Sequence, residues 1–449
     1  MPTRFDDEAD VVVIGAGIAG LGLCCALARS GLDVLLVDAR KGPGGIHRGD
    51  SLVPRSTRLL AAWGALDAVR AAGAVPIERI EVHHPTRGLL LEGPLVPDGV
   101  VDPYLVLPHA DLERVLLAEA MRLGRTRVLR PARLDDLVRD GAGRVVGVRL
   151  ATREGALAAR ARLVVGADGQ RSAVRERLGV EVRRGSYDHA YLGLEAERPA
   201  GYRDALRLHL HPEGGVLVMP RPDRVGLGVL VEAGSGPRWT GMPDDALGRA
   251  LAARCPLLAG ARLLRGRSHV YELTWSHARR YVAPGAALIG DAAHTTNPTA
   301  GQGMTSALGD ADALAREVGP ALVTGGDLDA ALASFERRQR PINARLVRQA
   351  DLLARLYAWR GPLGDGAKVL FARTLGSPVG ALLARGLTRA FLVPRAPAED
   401  ALARGGASRA ARSCADVPMR RPQRSLGRDD AEPSSPPAPP AAPLLPLAR

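Results

Sequence analysis

A run of small residues near the amino terminus has the composition and spacing of a phosphate-binding turn. The segment VVVIGAGIAGLG is a short apolar strand followed by Gly15, Ala16, Gly17 and Gly20, after which helix-forming residues continue. Gly15 permits a tight turn, Gly17 lets the backbone approach a pyrophosphate, and Gly20 lets the helix pack closely on the strand. The free amides and the positive end of that helix bind phosphate oxygens, so the segment predicts a dinucleotide site.

An acidic residue follows the next apolar segment at the distance that such a site requires. The segment DVLLVD ends at Asp38, 23 residues after Gly15. A carboxylate at that position accepts hydrogen bonds from the ribose of a bound adenosine. The pattern does not distinguish NAD from FAD, and a purely structural glycine turn is the alternative interpretation.

Two later segments also place an aspartate directly after an apolar strand. In ARLVVGADGQRSAVR, residues 161–175, the strand ends in a turn that contains Asp168, and Ser172 precedes a short predicted helix. Taken alone, this segment is typical of an ordinary turn with a serine helix cap. In LIGDAAHTTNPTAGQGMT, residues 288–305, Asp291 is followed mostly by small residues, and a helix is expected from about residue 302. Small side chains leave room for another group to come close.

The set GAGIAG, GADGQRS and GDAAHTTNPTAGQGM, in this order and at these separations, resembles the class A flavoprotein monooxygenases, the para-hydroxybenzoate hydroxylase-like aromatic hydroxylases. The resemblance covers roughly residues 8–390. It implies that the cofactor is FAD and that Asp38 binds its adenosine ribose. The FAD diphosphate would be held by the residues of the first turn, Gly15, Ala16, Gly17 and Gly20.

Further FAD contacts are implied by position, with two departures from the family pattern. Arg48, in RGDSLVP, occupies the place of an arginine that contacts FAD in such enzymes, and a solvated surface arginine is the alternative. His109 opens a predicted helix where the family often has an arginine, so its contact with FAD is left open. Asp168 would belong to a second fingerprint near both FAD and the reduced nicotinamide. The asparagine that often follows GQGM is Thr305 in this chain.

The third segment would surround the flavin itself. The resemblance implies that Gly290 and Asp291 lie at the ribityl chain, which Asp291 binds, and that Pro298 lies beside the isoalloxazine ring. The pyrimidine edge of that ring would face the backbone amides of residues 301–304, which include Gly301, Gly303 and Met304. His294 is interpreted as part of the loop scaffold.

In this family the flavin, and not a side chain, carries out the difficult step. The resemblance implies that NADPH or NADH reduces FAD, which forms a C4a-hydroperoxide with O2 and transfers one oxygen atom to an electron-rich carbon. The substrate would be an aromatic, quinone or polyketide-like small molecule that is hydroxylated or epoxidised. The protein must bind the flavin, exclude water and position the substrate. The sequence has no second glycine-rich fingerprint for a separate NADPH domain, and the family also lacks one.

The order of predicted elements agrees with this resemblance and predicts an α/β fold. We expect a Rossmann-like FAD-binding domain, an inserted and mainly antiparallel β-sheet substrate domain, and a helical C-terminal region. The FAD-binding parts are residues 8–76, 101–180 and 273–394, the last with the C-terminal helices, and the substrate-domain parts are 77–100 and 181–272. The Pro- and Ala-rich residues 395–449 are expected to be a disordered tail. Predicted helices cover 56–72, with Ser56 as N-cap, 110–123, 302–318, 327–358 and 377–392.

One strand of the middle region carries the side chains that the pattern offers as a catalytic base. In ALRLHLHP three polar residues alternate onto one face and three leucines onto the other: Arg207, His209 and His211, and Leu206, Leu208 and Leu210. The polar residues would line an anionic or phenolic pocket, with a histidine as base, or form the solvent-facing side of a one-sided sheet. Three aromatic residues of this region are expected to be buried by packing: Tyr191, Tyr202 and Trp275.

Composition limits the remaining possibilities. The 449-residue chain carries a formal charge of +13, but its only lysines are Lys41 and Lys368 and its arginines are spread along the chain, so we expect no nucleic-acid partner. The four cysteines have neither metal-ligand spacing nor a disulfide pattern, and no metal is expected. There is no secretory signal and no apolar run of the roughly 18 residues that span a membrane, which predicts a cytoplasmic protein. Monomer and homodimer both remain open.

Other functions also remain open at this point. A flavin reductase or dehydrogenase of the geranylgeranyl reductase type would reduce a double bond and turn over without O2. A non-catalytic FAD-binding protein would keep the same fold without turnover. A flavin halogenase is less well supported, because the chain has no Trp-x-Trp-x-Ile-Pro segment and no lysine in its central region.

Overall fold

The structure of the chain is a computed structural model, and it describes residues 5–44, 50–96, 100–377 and 380. The chain divides into two units, Met1–Pro394 and Arg395–Arg449. All described residues lie in the first unit. Most of the predicted helix 377–392 and the whole predicted tail therefore lie outside the described residues.

The strands of the described residues form two large sheets and one small one. In chain order they are β1 (Asp7–Ile14), β2 (Asp33–Val37), β3 (Ser51–Leu52), β4 (Val75–Pro76), β5 (Arg79–His84), β6 (Gly88–Pro94), β7 (Leu105–Val106), β8 (Arg125–Leu129), β9 (Ala132–Arg139), β10 (Val145–Thr152), β11 (Gly155–Gly166), β12 (Val182–Glu197), β13 (Ala205–His209), β14 (Val216–Pro220), β15 (Arg224–Glu232), β16 (Leu263–Ala278), β17 (Val282–Ala283), β18 (Ala286–Leu288) and β19 (His294–Thr295).

The helices are short in the first half of the chain and long near its end. In chain order they are α1 (Ile18–Leu27), α2 (Pro54–Trp63), α3 (Leu66–Ala71), α4 (His109–Leu123), α5 (Ala173–Arg177), α6 (Gly236–Thr240), α7 (Asp244–Arg254), α8 (Gly303–Thr324), α9 (Leu328–Ala358) and α10 (Gly361–Gly376). Short 3-10 turns cover Pro256–Leu258, Gly290–Ala292 and Pro298–Ala300.

The first sheet is built around β1, the strand that precedes the glycine-rich turn. Its order is β17-β18-β11-β1-β2-β8, and β10 and β9 join it through β11. β1 is parallel to β2 and β11, and β18 is parallel to β11. The consecutive residues Val11, Val12 and Val13 are all fully buried, so both faces of β1 are covered, as is typical of a parallel sheet in an α/β fold.

The second sheet has the order β19-β16-β12-β15-β14-β13-β5-β6. Its neighbouring strands are antiparallel except for β13 and β5. One face, which we name the α7 face, packs Val216 and Val218 against Leu251 of α7. The other, which we name the Tyr191 face, packs Tyr191 and Leu208 with Tyr357 of α9 and with residues of α10.

Most predicted helices are present, and the one predicted over residues 56–72 is wrong in its bounds. α4, α8 and α9 lie on the segments 110–123, 302–318 and 327–358. The segment 56–72 contains two helices, α2 and α3, and the first begins at Pro54 because proline fits the first turn of a helix. Ser56 is therefore buried inside α2 and is not its N-cap. The pattern did not predict α6, α7 and α10.

The observed architecture confirms the predicted α/β class, with a parallel sheet, a mainly antiparallel second sheet and a helical region after them. The boundaries between the expected domain parts remain predictions. Across the described ranges, none of the helices combines the length and the apolar character needed to cross a membrane.

Replacement of Gly20 by alanine should destabilise this fold, because the new Cβ would lie 2.0 Å from the carbonyl oxygen of Gly15. Such overpacking costs about 1–3 kcal/mol or more. At Gly248, inside α7, an added Cβ has no neighbour within 4 Å, so Gly248→Ala should stabilise by up to about 1 kcal/mol. Urea unfolding of the two variants checks this, and equal unfolding free energies would contradict the close packing of the first turn.

Candidate active site

The three sequence segments meet at one edge of the first sheet. Ile14 of β1 is paired with Val37 of β2 and with Gly166 of β11, and Gly166 is paired with Leu288 of β18. These four strands run in the same direction, so their carboxyl ends lie side by side. The residues that follow them include Gly15, Asp38, Asp168 and Asp291. The carboxyl edge of a parallel sheet is where dinucleotides bind in such folds.

The glycines of the first turn have different neighbours. Gly15 has a φ of 110°, and a Cβ on it would lie 2.3 Å from the carbonyl oxygen of Ala167, so only glycine fits. A Cβ on Gly20 would lie too close to the carbonyl oxygen of Gly15, so this position also requires glycine. An added Cβ at Gly17 would meet only Glu113 Oε1, at 4.0 Å. The space in front of Gly17, at the start of α1, is therefore open to a pyrophosphate.

Asp38, the predicted ribose contact, holds the first turn and the residues that follow β2. Its Oδ2 accepts a hydrogen bond from the amide of Ala16 at 2.7 Å, and its Oδ1 accepts one from the amide of Arg40 at 2.6 Å. The Arg40 guanidinium lies 3.2 Å from Asp38 and donates to the Ala16 carbonyl at 3.0 Å. Sequence reasoning missed Arg40, although its place two residues after Asp38 was a usable signal.

Glu113 is a buried carboxylate beside the same turn. It accepts a hydrogen bond from the Gly44 amide at 2.8 Å and lies 3.4 Å from Arg40 and 3.5 Å from His109 Nε2. Burial alone would raise its pKa, but His109, Gly44 and Arg40 outweigh burial and hold the pKa below its usual value. The predicted contact His109 is thus bound to Glu113 through Nε2, and its Nδ1 is buried without a partner among the described residues. The predicted contact Arg48 lies outside the described residues.

Asp168 caps α5. Its Oδ2 accepts hydrogen bonds from the amides of Ala173 at 2.7 Å and Val174 at 3.1 Å, and Ser172 Oγ accepts one from the Arg175 amide. The expected serine helix cap is therefore confirmed. In the described part of the chain Asp168 Oδ1 is buried without a partner, and burial raises the pKa of this carboxyl. One acceptor remains for a ligand at the edge where the three segments meet.

The Gly290–Ala292 turn packs on the first turn. A Cβ on Gly290 would lie 2.6 Å from the Cβ of Ala19 in α1, so the loop carrying Asp291 sits close to the start of that helix. Asp310 of α8 holds this turn, since it accepts hydrogen bonds from the Gly290 amide and from His294 Nε2. His294 is buried, and its contact agrees with a scaffold role. Asp310 was missed by sequence reasoning.

The segment after Pro298 has open space where the flavin ring is expected. The Pro298–Ala300 turn is followed by Gly301 and by Gly303, which opens α8. A Cβ on either glycine would have no neighbour within 4 Å. No side chain of the described residues caps the start of α8. The backbone of residues 301–304 can therefore approach a flat polar ring edge, which fits a flavin.

A directed chain of hydrogen bonds joins this loop to the second sheet. Asn297 Oδ1 accepts from the amide of Thr299 at 3.0 Å and from its hydroxyl at 2.7 Å. The single hydroxyl hydrogen of Thr299 is thereby used, so Tyr191, at 3.1 Å, must donate its own hydrogen to Thr299 Oγ1. Asn297 Nδ2 in turn donates to His189 Nε2 at 3.3 Å. The Tyr191 oxygen consequently has only acceptor capacity left.

The candidate base His209 lies on the other side of the second sheet. His209 is paired with Val216, whose side chain lies on the α7 face, opposite Tyr191. It is 6% exposed, stacks on His83 with ring centroids 4.9 Å apart, and burial, His83 and Arg207 lower its pKa to about 4. The solvent-facing alternative is therefore wrong at His209, whose side chain is buried with the His83 ring of β5 stacked beside it.

His211 lies just beyond the end of β13. Its Nδ1 accepts from the Glu213 amide at 3.2 Å, and its carbonyl accepts from Lys368 of α10 at 3.2 Å. Burial and the nearby Arg254 lower its pKa. No described contact joins His209 or His211 to the loop that carries Pro298. The three aromatic residues behave largely as expected, since Tyr191 and Tyr202 are buried and Trp275 is half-buried.

A buried ion pair was not foreseen from the sequence. Arg221, directly after β14, pairs with Asp50, and both are nearly inaccessible to solvent. Asp50 also accepts a hydrogen bond from the His109 amide at 3.2 Å, and Arg221 lies 3.4 Å from Glu195. The pair therefore connects the second sheet to the start of α4 and to the segment that follows the predicted contact Arg48.

Comparison with known proteins agrees with this site. A family model described as FAD binding domain matches residues 8–350. The ubiquinone hydroxylase UbiL of Rhodospirillum rubrum is 33% identical over 396 residues, which cover 86% of this chain and 89% of that protein. The aklavinone 12-hydroxylase RdmE of Streptomyces purpurascens is 32% identical over 400 residues, which cover 79% of this chain and 69% of that protein.

Similarity extends to solved structures. The crystal structure of PqsL from Pseudomonas aeruginosa in complex with 2-aminobenzoylacetate superposes with a TM-score of 0.72 at 27% identity. That alignment covers 81% of this chain and 100% of the other.

Replacement of Gly17 by alanine should weaken FAD binding without unfolding the chain. Its φ of −86° and ψ of −175° suit alanine, and the added Cβ clashes with no described atom, so the unfolding free energy should change by about 1 kcal/mol or less. The same Cβ would occupy the space predicted for the diphosphate, and the dissociation constant for FAD should rise more than tenfold. Fluorescence titration with FAD measures this. An unchanged constant would contradict the assignment of this space.

Proposed function

Because the chain belongs to the class A FAD-dependent aromatic hydroxylases and is an FAD-dependent monooxygenase, we propose that it uses NADPH or NADH to insert one oxygen atom of O2 into an aromatic, quinone or polyketide-like small molecule. The observation that carries the proposal is the packing of the Gly290–Ala292 turn on the start of α1. It supports one extended cofactor site that would run from the open space at Gly17 to the open space at Gly301 and Gly303.

The residues of this chain fit FAD in extended form. The amides of the first turn and of the start of α1 would bind the diphosphate, and Asp38 the adenosine ribose. Asp291 would bind the ribityl chain, with Pro298 beside the flavin ring. The amides of residues 301–304 would face the pyrimidine edge. The buried atoms His109 Nδ1 and Asp168 Oδ1, which have no partner in the described ranges, are suited to polar groups of a cofactor.

Arg40 supplies a positive charge where two carboxylates meet. It lies between Asp38 and the ionised Glu113, at 3.2 and 3.4 Å. A Cβ added at Gly17 would lie 4.0 Å from Glu113 Oε1. Without a nearby cation, the Glu113 carboxylate would therefore repel a diphosphate bound in front of Gly17. Arg40 therefore makes the turn suitable for an anion.

When bound, FAD would supply the redox chemistry by which electrons of the nicotinamide and one oxygen atom of O2 reach the substrate. The balance is substrate–H, O2, NAD(P)H and a proton to substrate–OH, water and NAD(P)+. The chain itself must orient the substrate and keep water away. Besides Tyr191, side chains of the Tyr191 face are mainly apolar or aromatic, including Leu208, Leu210, Leu230 and Tyr271.

The composition of the Tyr191 face favours a flat substrate without charge. Glu81 of β5 and Arg207 of β13 lie on the α7 face and pair with each other at 2.9 Å, so these two charges are not directed at such a substrate. The Tyr191 oxygen, with only acceptor capacity left, would accept a hydrogen bond from a phenolic or enolic hydroxyl. The named activities of UbiL and RdmE on ubiquinone and aklavinone agree with a quinone or polyketide-like substrate.

The direct test is oxygen incorporation by the purified, FAD-containing chain. We expect substrate-stimulated oxidation of NADPH or NADH with a panel of quinones and aromatic polyketides, and one atom of ¹⁸O from ¹⁸O2 in the product. Anaerobic turnover of the same substrate would instead identify a reductase. Failure of the chain to retain or bind FAD would remove the basis of the proposal.

Tyr191→Phe should separate substrate recognition from cofactor binding. The variant keeps the ring but loses both the hydrogen bond to Thr299 and the acceptor, so we expect a KM for the hydroxylated substrate at least fivefold higher and more H2O2 per NAD(P)H oxidised. The matched control is Tyr202→Phe, which removes a hydroxyl that donates to the Ala205 carbonyl at 2.7 Å on the α7 face. If both variants behave alike, Tyr191 has no specific role.

A further inference from the structure

Asp310 is a fully buried carboxylate that has four hydrogen-bond donors around it. Its Oδ2 accepts from the Gly290 amide at 2.9 Å and from His294 Nε2 at 2.8 Å. Its Oδ1 accepts from Gln339 Nε2 and Asn343 Nδ2, each at 2.8 Å. All four sites of an ionised carboxylate are therefore occupied.

The surroundings of Asp310 favour the charged form. Burial alone would raise its pKa, but His294, Asn343 and the Gly290 amide outweigh burial and hold the pKa below its usual value. The Arg55 guanidinium, beside Gly309, adds a favourable charge. A carboxylate without contact to solvent is costly unless such partners compensate, so an apolar residue would be the simpler way to join α8 to α9.

The two bonds of Oδ2 hold both ends of one short turn. The first comes from the Gly290 amide, directly before Asp291, and the second comes from His294, where β19 begins. Asp291, the residue proposed to bind the ribityl chain, lies between these two anchors. The bonds of Oδ1 go to Gln339 and Asn343, one helical turn apart on α9, and so fix the carboxylate itself.

We propose that Asp310 is a positioning residue for the cofactor, which holds the turn of residues 290–294 in the conformation that presents Asp291 to the ribityl chain of FAD. The inference rests on the proposed function, because it assumes that Asp291 contacts FAD. The turn is then ordered before FAD arrives, and binding does not have to supply the free energy of ordering it.

Asp310→Asn is the first test. The amide has the same shape, but it must direct N–H groups toward donors on one of its two sides, either Gly290 and His294 or Gln339 and Asn343. We expect the dissociation constant of FAD for the full-length chain to rise at least tenfold in fluorescence titrations. The matched control is Asp312→Asn, two residues further along α8, where the carboxylate pairs with Arg316 and FAD affinity should not change.

A purely structural role is separated by two further variants. Asn343→Leu removes the bond from Asn343 to Asp310 Oδ1 and the contacts of Asn343 with Gln339 and Tyr281, but it leaves both bonds of Oδ2 in place. It should therefore lower the urea midpoint while FAD affinity stays within about twofold. The exchange Asp310→Asn with Asn343→Asp lets the new amide oxygen accept from Gly290 and His294. Its N–H groups then donate to the new carboxylate and to the side-chain oxygen of Gln339, whose amide must turn over to accept. We expect this double variant to recover most of the FAD affinity that Asp310→Asn loses.

The outcomes distinguish this inference from the function on which it rests. If FAD affinity falls in proportion to stability in Asp310→Asn and Asn343→Leu alike, or if Asp310→Asn binds FAD as the unaltered chain does, Asp310 is not a positioning residue. If the unaltered chain does not bind FAD, the proposed function fails. Should Asp310→Asn not fold, His294→Gln tests the same side of the carboxylate, and unchanged FAD affinity there would overturn the inference.

Discussion

The close packing of backbone turns at the carboxyl edge of the parallel sheet is the constraint on which the rest of the site depends. A side chain at Gly15 would overlap the Ala167 carbonyl, one at Gly20 would overlap Gly15, and one at Gly290 would overlap Ala19. Segments from three distant parts of the chain can therefore approach this closely at Gly15 and Gly290 because glycine carries no side chain. Because they touch, a single extended cofactor can contact all of them.

Buried carboxylates hold backbone turns in place at this edge of the sheet. Asp38 bonds the Ala16 amide, Glu113 the Gly44 amide, and Asp310 the Gly290 amide. Each carboxylate lies at a position that solvent hardly reaches, where hydrogen bonds from amides to a carboxylate are strong. The alternative, apolar packing, would stabilise the turns less specifically, since it does not select one orientation of an N–H group.

How far the sequence predicted the site depended on how local each interaction is. The tight turn at Gly15, the close packing at Gly20 and the helix cap at Ser172 were predicted correctly. Each of these features depends on residues within one turn or one strand–helix unit. Asp310 was missed because its partners lie 20 residues before it and up to 33 after it. The expected solvent-facing side at His209 was wrong because alternation identifies two faces of a strand but not what covers each. The fold decides that, and at His209 it places the His83 ring of β5 against a buried side chain.

The sequence by itself determined the α/β class and the order of the three segments, because strand periodicity and glycine spacing are short-range properties. The choice of FAD came from the resemblance of those segments to a known family. The tertiary structure alone decided which partners the polar side chains have. Asp38 accepts a hydrogen bond from the Ala16 amide in the first turn, His109 is bound to Glu113, and Tyr191 donates to Thr299. The reason is physical. A buried polar group takes whichever partner the fold brings within about 3 Å, and that partner comes from elsewhere in the chain.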